Sequence, residues 1–433
     1  MIQFSEAQNL ILKLARQFTL KTEAISLEDA DGRIASEDIL SPEFVPSFDN
    51  SAMDGFALCS KDTLKASALN PVELSVVSMI AAGDDIPPAT SWKLNNEIIQ
   101  GDAAEIMTGA PMPEHFDSVI KIEDTLPIVD AHGKTIKIAI RSVVPIGNNV
   151  RKKGQDYQIG QIVLKKTTKL RPDGLMALAS LGIDTLQVFK KPKVAILSTG
   201  KELVPFETKT LQPGKIRNST GIYLKSALVH LGASVTEHET ILDDSQVFKS
   251  KVQYLLNEDV DLLVTTGAVS MGKFDFIVSS LHDLGAEILF HKVAIRPGKP
   301  ILLAQIYRPG RNPLVIFGMP GNPVSSVVGL RFFLAPFLRE INGRTEELPL
   351  RIKLSQATPK PRGLQCFFKA RLETHDNNLA VRPLSGQASF MVSPLVHANA
   401  WVLFPEDGTQ VDVNQEVSVF PLLPDQSFDM GVL

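Results

Sequence analysis

Cysteine is scarce in this chain, which removes one common way of stabilising a fold. Only two cysteines occur among 433 residues, Cys59 and Cys366, and they lie far apart in the sequence. We therefore expect no structural disulfides and a cytoplasmic protein in a reducing compartment. The first residues also lack the basic and apolar regions of a signal peptide, so no secretory leader is expected.

Long hydrophobic runs and a strong charge imbalance are also missing. No uncharged apolar run approaches the length of about eighteen residues that a transmembrane helix needs, so we expect no membrane span. The net charge of −4 argues against a general nucleic-acid surface but allows a local basic pocket. With 44% hydrophobic and 21% charged residues, the composition is that of a globular protein. The length suggests about two to four domains.

Metal-binding and nucleophile motifs are scarce as well. The eight histidines are scattered, and the chain contains neither a Cys-x-x-Cys pair nor a His-x-x-x-His pair. A structural zinc site is therefore not expected. No order or spacing of serine, histidine, aspartate and cysteine indicates a catalytic triad.

What the sequence does contain is an alternation of strands and helices between residues 191 and 345. Short apolar runs such as 194–197 and 262–266 are typical of buried strands, and helical patterns separate them. This alternation predicts a parallel α/β sheet with right-handed crossovers.

The rest of the chain favours β-structure in short pieces. Residues 58–145 alternate β-like runs with turns, which predicts a β-rich domain inserted into an N-terminal domain made of residues 1–57 and 146–190. Proline and glycine interrupt the last segment, so residues 346–433 are predicted to form a small β-barrel or sandwich.

The stretch 261–275 carries the strongest functional signal. A buried strand is predicted to end at Gly267, and Gly267 and Gly272 allow close approaches that a side chain would block. Ligands of open α/β sheets bind past the carboxyl ends of the strands. Three polar residues follow this strand: Ser270, Lys273 and Asp275.

A P-loop nucleotide site is not expected from the same stretch. Gly267 to Lys273 matches the spacing Gly-x-x-x-x-Gly-Lys, but Phe274 follows where a serine or threonine would hold magnesium. A hard cation is still possible, since Asp275 with Asp243 or Asp244 can supply carboxylate ligands. The alternative for these aspartates is helix capping.

Two further segments favour anion binding. Lys292, Arg296 and Lys299 lie within eight residues beside a Pro-Gly turn, and fixed cations suit phosphate or another oxyanion. The alternative is a solvated turn between strands. The second segment follows a strand and opens a helix, where free N–H groups favour anions. It contains Pro320, Gly321, Asn322, Pro323 and Ser325.

Taken together, the segments resemble one family, the molybdopterin molybdenumtransferases (MoeA), which includes the E domain of gephyrin. The matching segments occur in the family's order along nearly the whole chain. They span residues 49–57, 107–113, 154–156, 197–202, 266–270, 296–300 and 319–325.

The resemblance implies a role for each matched position. The family's active-site polar residues correspond to Asp54, Thr108, Asp156, Glu202 and Asp275. Its anion-binding cations correspond to Lys292, Arg296 and Lys299. Its pterin and molybdate cradle corresponds to Gly267, Ser270, Gly272, Pro320, Gly321, Asn322, Pro323 and Ser325. Its metal carboxylates correspond to Asp275 with Asp243 or Asp244.

The resemblance also implies the architecture and the reaction. The fold is expected to be a multidomain α/β plus β protein, with a central parallel α/β molybdopterin-binding domain at 191–345, the inserted β-rich domain and a C-terminal small β-barrel. A homodimer is implied, with an active site shared between subunits. The implied reaction inserts molybdate into adenylated molybdopterin with Mg²⁺ or another divalent cation and releases AMP. Implied partners are the molybdopterin adenylyltransferase and molybdoenzyme acceptors.

Some positions depart from the family's pattern and leave other functions open. Gln155 stands in place of a glutamate, Thr220 in place of an asparagine, and Ala268 in place of a glycine. A carrier or scaffold that binds the pterin without turnover is therefore one alternative. A molybdopterin adenylyltransferase is another, although the long N-terminal half and the C-terminal β domain argue against it.

Overall fold

The computed structural model describes residues 1–84, 100–267, 276–375 and 378–430, and the chain divides into two units. Unit 1 comprises Met1–Glu23, Gly32–Ser36 and Gln187–Leu433. Unit 2 comprises Ala24–Asp31 and Glu37–Leu186. Within the described ranges, no helix combines the length and hydropathy needed to cross a bilayer.

The helices are short to medium in length. In chain order they are α1 (Phe4–Ala15), α2 (Pro172–Ser180), α3 (Ser219–His230), α4 (Ser245–Asn257), α5 (Ile277–Asp283), α6 (Pro323–Gly329), α7 (Ala335–Ile341) and α8 (Ser393–His397). A π-helical turn, Leu330–Leu334, joins α6 to α7 into one helical run. Single 3₁₀ turns lie at Leu27–Asp29, Ser60–Thr63 and Ile122–Asp124.

The first strands of the chain, up to the start of the α/β sheet, are β1 (Thr22–Ser26), β2 (Ile39–Leu40), β3 (Asn50–Ser51), β4 (Gly55–Leu58), β5 (Val72–Ile80), β6 (Asp102–Ile106), β7 (Ser118–Lys121), β8 (Thr125–Val129), β9 (Thr135–Ile140), β10 (Val150–Arg151), β11 (Ile162–Leu164) and β12 (Thr185–Phe189). The α/β segment contains β13 (Lys193–Thr199), β14 (Leu203–Val204), β15 (Ile216–Arg217), β16 (Ser234–Ile241), β17 (Leu262–Thr266), β18 (Glu287–His291), β19 (Ile295–Arg296), β20 (Leu302–Ile306) and β21 (Leu314–Met319). The C-terminal strands are β22 (Leu350–Leu354), β23 (Thr358–Pro359), β24 (Gln365–His375), β25 (Asn378–Pro383), β26 (Ala400–Phe404), β27 (Gln410–Val411) and β28 (Glu416–Pro421).

The predicted α/β sheet is the centre of unit 1. Its strand order is β16-β13-β17-β21-β20-β18, and β16, β13, β17 and β21 are parallel. The sheet is parallel in these four strands, as predicted, and the antiparallel pair β18 and β20 extends it at one edge. These two strands are joined by a short connection that needs no crossover helix, which allows the antiparallel arrangement.

Both faces of this sheet are covered by helices. Along β13, Val194 and Ile196 belong to a hydrophobic cluster with residues of α1, α3 and α7. Ala195 and Leu197 point into a second cluster with residues of α4 and α5. Burial on both faces explains why β13 and β17 carry uninterrupted apolar runs at 194–197 and 262–264, as strands of a doubly covered sheet do.

The C-terminal segment forms the predicted barrel. Its strands pair in the order β24-β25-β22-β28-β26, and β26 pairs back onto β24, which closes the sheet. Closure removes the exposed sheet edges that an open sheet of this size would have. The short strand β19 of the α/β segment pairs with β24, so the barrel is joined to the α/β layer by backbone hydrogen bonds.

Unit 2 is built around a mixed sheet with the order β7-β4-β6-β5-β9-β8. Gly55 begins β4, and a Cβ at this position would lie 2.0 Å from the carbonyl oxygen of Ile120. Only glycine allows this close packing of β4 against β7. The result is that the loop before β4 is held beside the end of β6.

Candidate active site

The strand order of unit 1 creates a crevice beside the carboxyl ends of two central strands. From β13 the chain moves to one side, to β16, and then to the other side, to β17. Connections that diverge in this way leave a gap where ligands bind in open α/β folds. The carboxyl ends of β13 and β17, together with the loop after β13, therefore form the candidate crevice of unit 1.

Gly267 lets the ends of three strands of this crevice approach one another. Its φ angle is +87°, and its N–H donates to the carbonyl of Met319 at 3.2 Å. A Cβ here would lie 2.4 Å from the carbonyl oxygen of Thr199. Both the backbone angle and the space therefore require glycine.

Two carboxylates lie on the loops at this end of the sheet. Glu202 is exposed, and its carboxylate folds back beside Gly200, where an added Cβ would lie 2.8 Å from Oε1. Asp243 follows β16, and its Oδ2 accepts from the backbone N–H of Lys201 at 3.0 Å. This contact ties the loops after β13 and β16 to each other.

Asp244 makes different contacts from its neighbour. Its Oδ1 accepts from the backbone N–H groups of Gln246 and Val247 at 2.7 and 3.0 Å, so it caps α4. A carboxylate in this position satisfies N–H groups that have no partner within the helix. Of the two aspartates, Asp243 is the one whose carboxylate contacts the loop after β13.

The three predicted cations lie on the connection between β18 and β20. This connection is a turn between strands, stabilised by hydrogen bonds from Lys292 N–H to Ile301 and from Val293 N–H to the carbonyl of Lys299. Lys292 has a φ angle of +75°, and Arg296 and Lys299 are exposed. A backbone fixed in this way presents three positive charges from one short segment, which favours an anionic ligand.

The segment from Pro320 to Ser325 follows β21 and begins the helical run of α6 and α7. The Ser326 hydroxyl donates to the carbonyl of Pro320 at 2.6 Å, which fixes the turn. The N–H of Val324 is already occupied by the carbonyl of Ser389 at 3.0 Å. Ser325 is buried, whereas Gly321 and Asn322 are exposed. The exposed part of this turn is therefore its first half.

A cavity of about 630 Å³ opens where the basic turn meets the barrel. Arg296 and Pro297 line it from the α/β side. The barrel side contributes Thr358, Lys360, Phe368, Ser385, Gly386 and Gln387, among others. A cavity with a cation, hydroxyls and aromatic carbon on its walls suits a ligand with both ring and anionic parts.

In unit 2, Asp54 and Thr108 are in direct contact. The backbone N–H and the hydroxyl of Thr108 both donate to Asp54 Oδ1, at 2.7 and 2.8 Å. Asp54 precedes β4 and Thr108 follows β6, and these strands are antiparallel neighbours. The backbone hydrogen bond of Thr108, followed by that of its side chain, lowers the pKa of Asp54.

Asp156 lies on a tight turn beside the same part of unit 2. Asp49 holds this turn: its two carboxylate oxygens accept from Lys153 N–H and from the Lys152 ammonium, each at 2.8 Å. Asp156 is exposed, and its backbone N–H donates to the carbonyl of Val45. The pairing of β10 with β3 brings the residues before this turn alongside the segment that leads to Asp54.

Several predicted residues fall outside the described part of the chain. They are Ser270, Gly272, Lys273 and Asp275. Within the described residues, no group of three or more histidine, cysteine, aspartate or glutamate side chains forms a ready metal site. In unit 1, Glu202 lies on the loop after β13, and Asp243 contacts that loop through Lys201 N–H; in unit 2, Asp54 and Thr108 are in direct contact.

Sequence reasoning missed the barrel side of the cavity. Thr358, Lys360, Ser385 and Gln387 come from separate barrel segments, and none belongs to a recognisable motif. The prolines around Lys360 indicated only breaks between strands. Pairing of β19 with β24 places them beside Arg296, and no local pattern predicts that pairing.

Three family profiles match consecutive parts of the chain. The MoeA N-terminal region (domain I and II) matches residues 2–182. A probable molybdopterin binding domain matches residues 195–340, and the MoeA C-terminal region (domain IV) matches residues 351–422.

Complete proteins also align with nearly the full chain. A molybdopterin molybdenumtransferase of Synechococcus elongatus is 39% identical over 418 residues, which cover 95% of this chain and 99% of the relative. One from Bacillus subtilis is 35% identical over 387 residues, covering 89% and 86%. The solved structure of a molybdopterin biosynthesis MoeA protein from Pyrococcus horikoshii OT3 superimposes with a TM-score of 0.79 at 28% identity, covering 97% of this chain and 99% of that one.

Proposed function

This chain belongs to the MoeA family of molybdopterin molybdenumtransferases, and we propose that it inserts molybdate into adenylated molybdopterin, releasing AMP and the molybdenum cofactor. The observation that carries the proposal is the cavity of about 630 Å³ beside Arg296, in a unit whose crevice holds Glu202 and Asp243. Cations and carboxylates are thus available in one unit.

The two substrates explain why both charges are needed. The adenylated pterin carries a diphosphate bridge and molybdate is an oxyanion, so the two repel each other in solution. Lys292, Arg296 and Lys299 supply the positive charge that offsets this repulsion, and Arg296 also offers a planar donor set for an oxyanion. Cleavage of the bridge then depends mainly on positioning and charge neutralisation.

The glycines and the turn after β21 supply close backbone approach. Gly267 leaves room at the ends of β13 and β17, and Gly321 and Asn322 are exposed where the helical run begins. We assign these residues, with Ser270, Gly272, Pro320, Pro323 and Ser325, to substrate binding.

In unit 2, we assign Asp54, Thr108 and Asp156 to the reaction. The lowered pKa keeps Asp54 ionised, so it acts as a hydrogen-bond acceptor for a polar group of the substrate. Both donors of Thr108 contact the same carboxylate oxygen of Asp54. Because Asp54 is exposed, its second carboxylate oxygen is available to the substrate.

A divalent cation fits the donor set but needs the substrate to complete its shell. Mg²⁺ is commonly held by one or two carboxylates together with substrate phosphate oxygens. Asp243 and Asp275 are the carboxylates we assign to it, with Asp244 as the weaker candidate because it caps α4. When bound, the cation would neutralise charge on the diphosphate bridge.

Further parts of the proposal concern the setting of the enzyme. We infer a cytoplasmic homodimer that exchanges its pterin with the molybdopterin adenylyltransferase and with molybdoenzyme acceptors. Light scattering on the purified protein tests the dimer: a mass near twice 47.3 kDa is expected, and a mass near 47.3 kDa would contradict it.

The carrier alternative is not favoured. One of the departures that motivated it keeps the local structure: Gln155 Oε1 accepts from Lys152 N–H at 3.0 Å, as a carboxylate oxygen would. A second departure, Thr220, lies in the first turn of α3, which Asn218 caps by accepting from Gly221 N–H at 2.9 Å. The relatives that cover most of the chain carry the name of the enzyme. Ala268 lies outside the described residues.

The direct test is turnover with purified components. We would incubate the protein with adenylated molybdopterin, molybdate and Mg²⁺ and follow AMP. Molybdate-dependent AMP release is expected for the native protein and for Asp407→Asn, a control that removes an exposed carboxylate of the barrel. Asp54→Asn should lose most of the rate. Bound but intact substrate with the native protein would contradict the proposal.

A further inference from the structure

Lys369 is a fully buried lysine that none of the roles above explains. It lies on β24 and none of its surface is exposed. Burial lowers the pKa of Lys369 to about 8, so at neutral pH its side chain is mainly an ammonium group with three donors. A buried charge requires hydrogen-bond partners, and these partners show what the residue holds in place.

All of its described partners are backbone carbonyls of one loop. The Lys369 ammonium donates to Gly386 at 2.7 Å, to Met391 at 3.0 Å and to Ala388 at 3.5 Å. The loop 384–391 connects β25 to α8 and has no regular hydrogen-bond ladder of its own. Its shape therefore depends on donors from outside the loop.

Gln387 fixes the same loop to the backbone of Lys369. Its Oε1 accepts from Lys369 N–H at 3.0 Å, and its Nε2 donates to the carbonyls of Lys369 and Leu384 at 2.8 and 2.7 Å. The side chain of Lys369 thus reaches from the strand to the loop, and the side chain of Gln387 reaches from the loop back to the strand. Two such contacts define the position of the loop more closely than either alone.

This loop borders the proposed substrate site in two places. Ser385, Gly386 and Gln387 line the cavity of about 630 Å³ on the side of the barrel. Further along, the carbonyl of Ser389 accepts from Val324 N–H at the start of the helical run that follows β21. A shift of the loop would change both the cavity wall and this turn.

We propose that Lys369 is a positioning residue for substrate binding, which holds loop 384–391 as the barrel-side wall of the substrate cavity. This inference rests on the proposed function, since it assigns the cavity to the pterin substrate. A residue that lies outside the lining of a site affects binding by fixing the positions of the lining residues. The loop contacts neither Glu202 nor Asp243 in the described contacts, so the expected effect is on binding and not on the chemical step.

The test uses the full chain with Lys369→Met, which keeps much of the side-chain volume and removes the donors. We expect the KM for adenylated molybdopterin to rise about tenfold or more while kcat stays within about threefold. Amide hydrogen exchange of residues 384–391 should become faster, while β24 and β26 keep their protection. Lys369→Arg should restore a KM close to that of the native protein, because a guanidinium retains donors for the carbonyls.

The control is Lys353→Met, which removes an exposed lysine from β22 of the same barrel and should change neither KM nor exchange. If Lys369→Met does not fold, Lys369→Gln serves instead, since it keeps an amide donor but loses the charge and the reach to the loop carbonyls; a rise in KM and faster exchange of the loop are expected. A native KM with unchanged exchange in the loop would overturn the inference, as would a lower melting temperature with a native KM.

Failure of the proposed function would look different. If the native protein binds the substrate but releases no AMP, the enzyme assignment fails while loop exchange still reports on Lys369. In that case, the dissociation constant of adenylated molybdopterin replaces KM: about tenfold weaker binding by Lys369→Met supports the positioning role, and unchanged binding overturns it.

Discussion

One carboxylate oxygen of Asp54 accepts both the backbone N–H and the hydroxyl of Thr108, at 2.7 and 2.8 Å. The two residues are separated by 54 positions in the sequence and meet because the start of β4 lies beside the end of the antiparallel strand β6. The contact lowers the pKa of Asp54 and fixes its orientation. It therefore allows the role of Asp54 to be tested without removing Asp54 itself.

Thr108→Val should lower the rate of AMP release by about tenfold to a hundredfold, because it removes the hydroxyl and leaves the carboxylate less well oriented. The pKa of Asp54 should rise towards its ordinary value. If ionised Asp54 is required, the acid limb of the kcat/KM profile moves to higher pH in the variant.

Thr108→Ser is the matched control, since it keeps both donors. Its rate and its acid limb should stay near those of the native protein. An acid limb that Thr108→Val leaves in place would show that this limb does not report on Asp54.

Gly267→Ala should impair both stability and substrate binding. Its Cβ would lie 2.4 Å from the Thr199 carbonyl oxygen, in addition to the strain of a φ angle of +87°. Gly285→Ala has a comparable φ angle of +75° but open space around the added Cβ, so it measures the backbone strain alone. That strain is about 1 kcal/mol.

The difference between these two variants isolates the steric clash. We expect Gly267→Ala to lower the melting temperature further than Gly285→Ala and to weaken binding of adenylated molybdopterin, which Gly285→Ala should not change. Equal melting temperatures and equal binding in the two variants would mean that the strand ends can separate at no cost.

These glycines illustrate what the sequence predicts and what it does not. The strand before Gly267 and the turn that begins with Pro320 were predictable, because buried parallel strands and turn residues have local patterns. The antiparallel direction of β20 was not, since strand direction depends on pairing across the sheet. Lys369 was also not predictable: a lysine in a β-pattern indicates an exposed position, and only the closure of the barrel buries it.

Asp425 makes stability depend on pH through a network near the end of the chain. Burial alone would raise the pKa of Asp425, but hydrogen bonds and charge from Arg344 and Arg339 outweigh it and hold this pKa well below its ordinary value. A lowered pKa contributes stability above the unfolded value of about 3.9, and this contribution is lost as the pH falls below it.

Asp425→Asn should therefore lower the free energy of unfolding by about 1–3 kcal/mol at pH 7. Asparagine tolerates the positive φ angle of +63° at this position, so the backbone is not the cause. Thermal unfolding at several pH values gives the measurement. The difference between the two proteins should shrink steadily as the pH falls below about 4, and a gap in melting temperature that does not change with pH would exclude the ion pairs as its source.

Asp243 and Asp244 are adjacent, yet the structure predicts opposite consequences for them. Asp244→Ala should cost about 1 kcal/mol of stability through loss of the α4 cap, whereas Asp244→Asn keeps a good cap and should be nearly neutral.

Asp243→Asn should leave the melting temperature almost unchanged but lower the rate of AMP release and raise the Mg²⁺ concentration needed for half-maximal rate. Titration of Mg²⁺ against AMP release in all three variants makes the comparison. If Asp244→Asn shifts the Mg²⁺ dependence and Asp243→Asn does not, the cation ligand is Asp244, and the contact between Asp243 and Lys201 only joins the two loops.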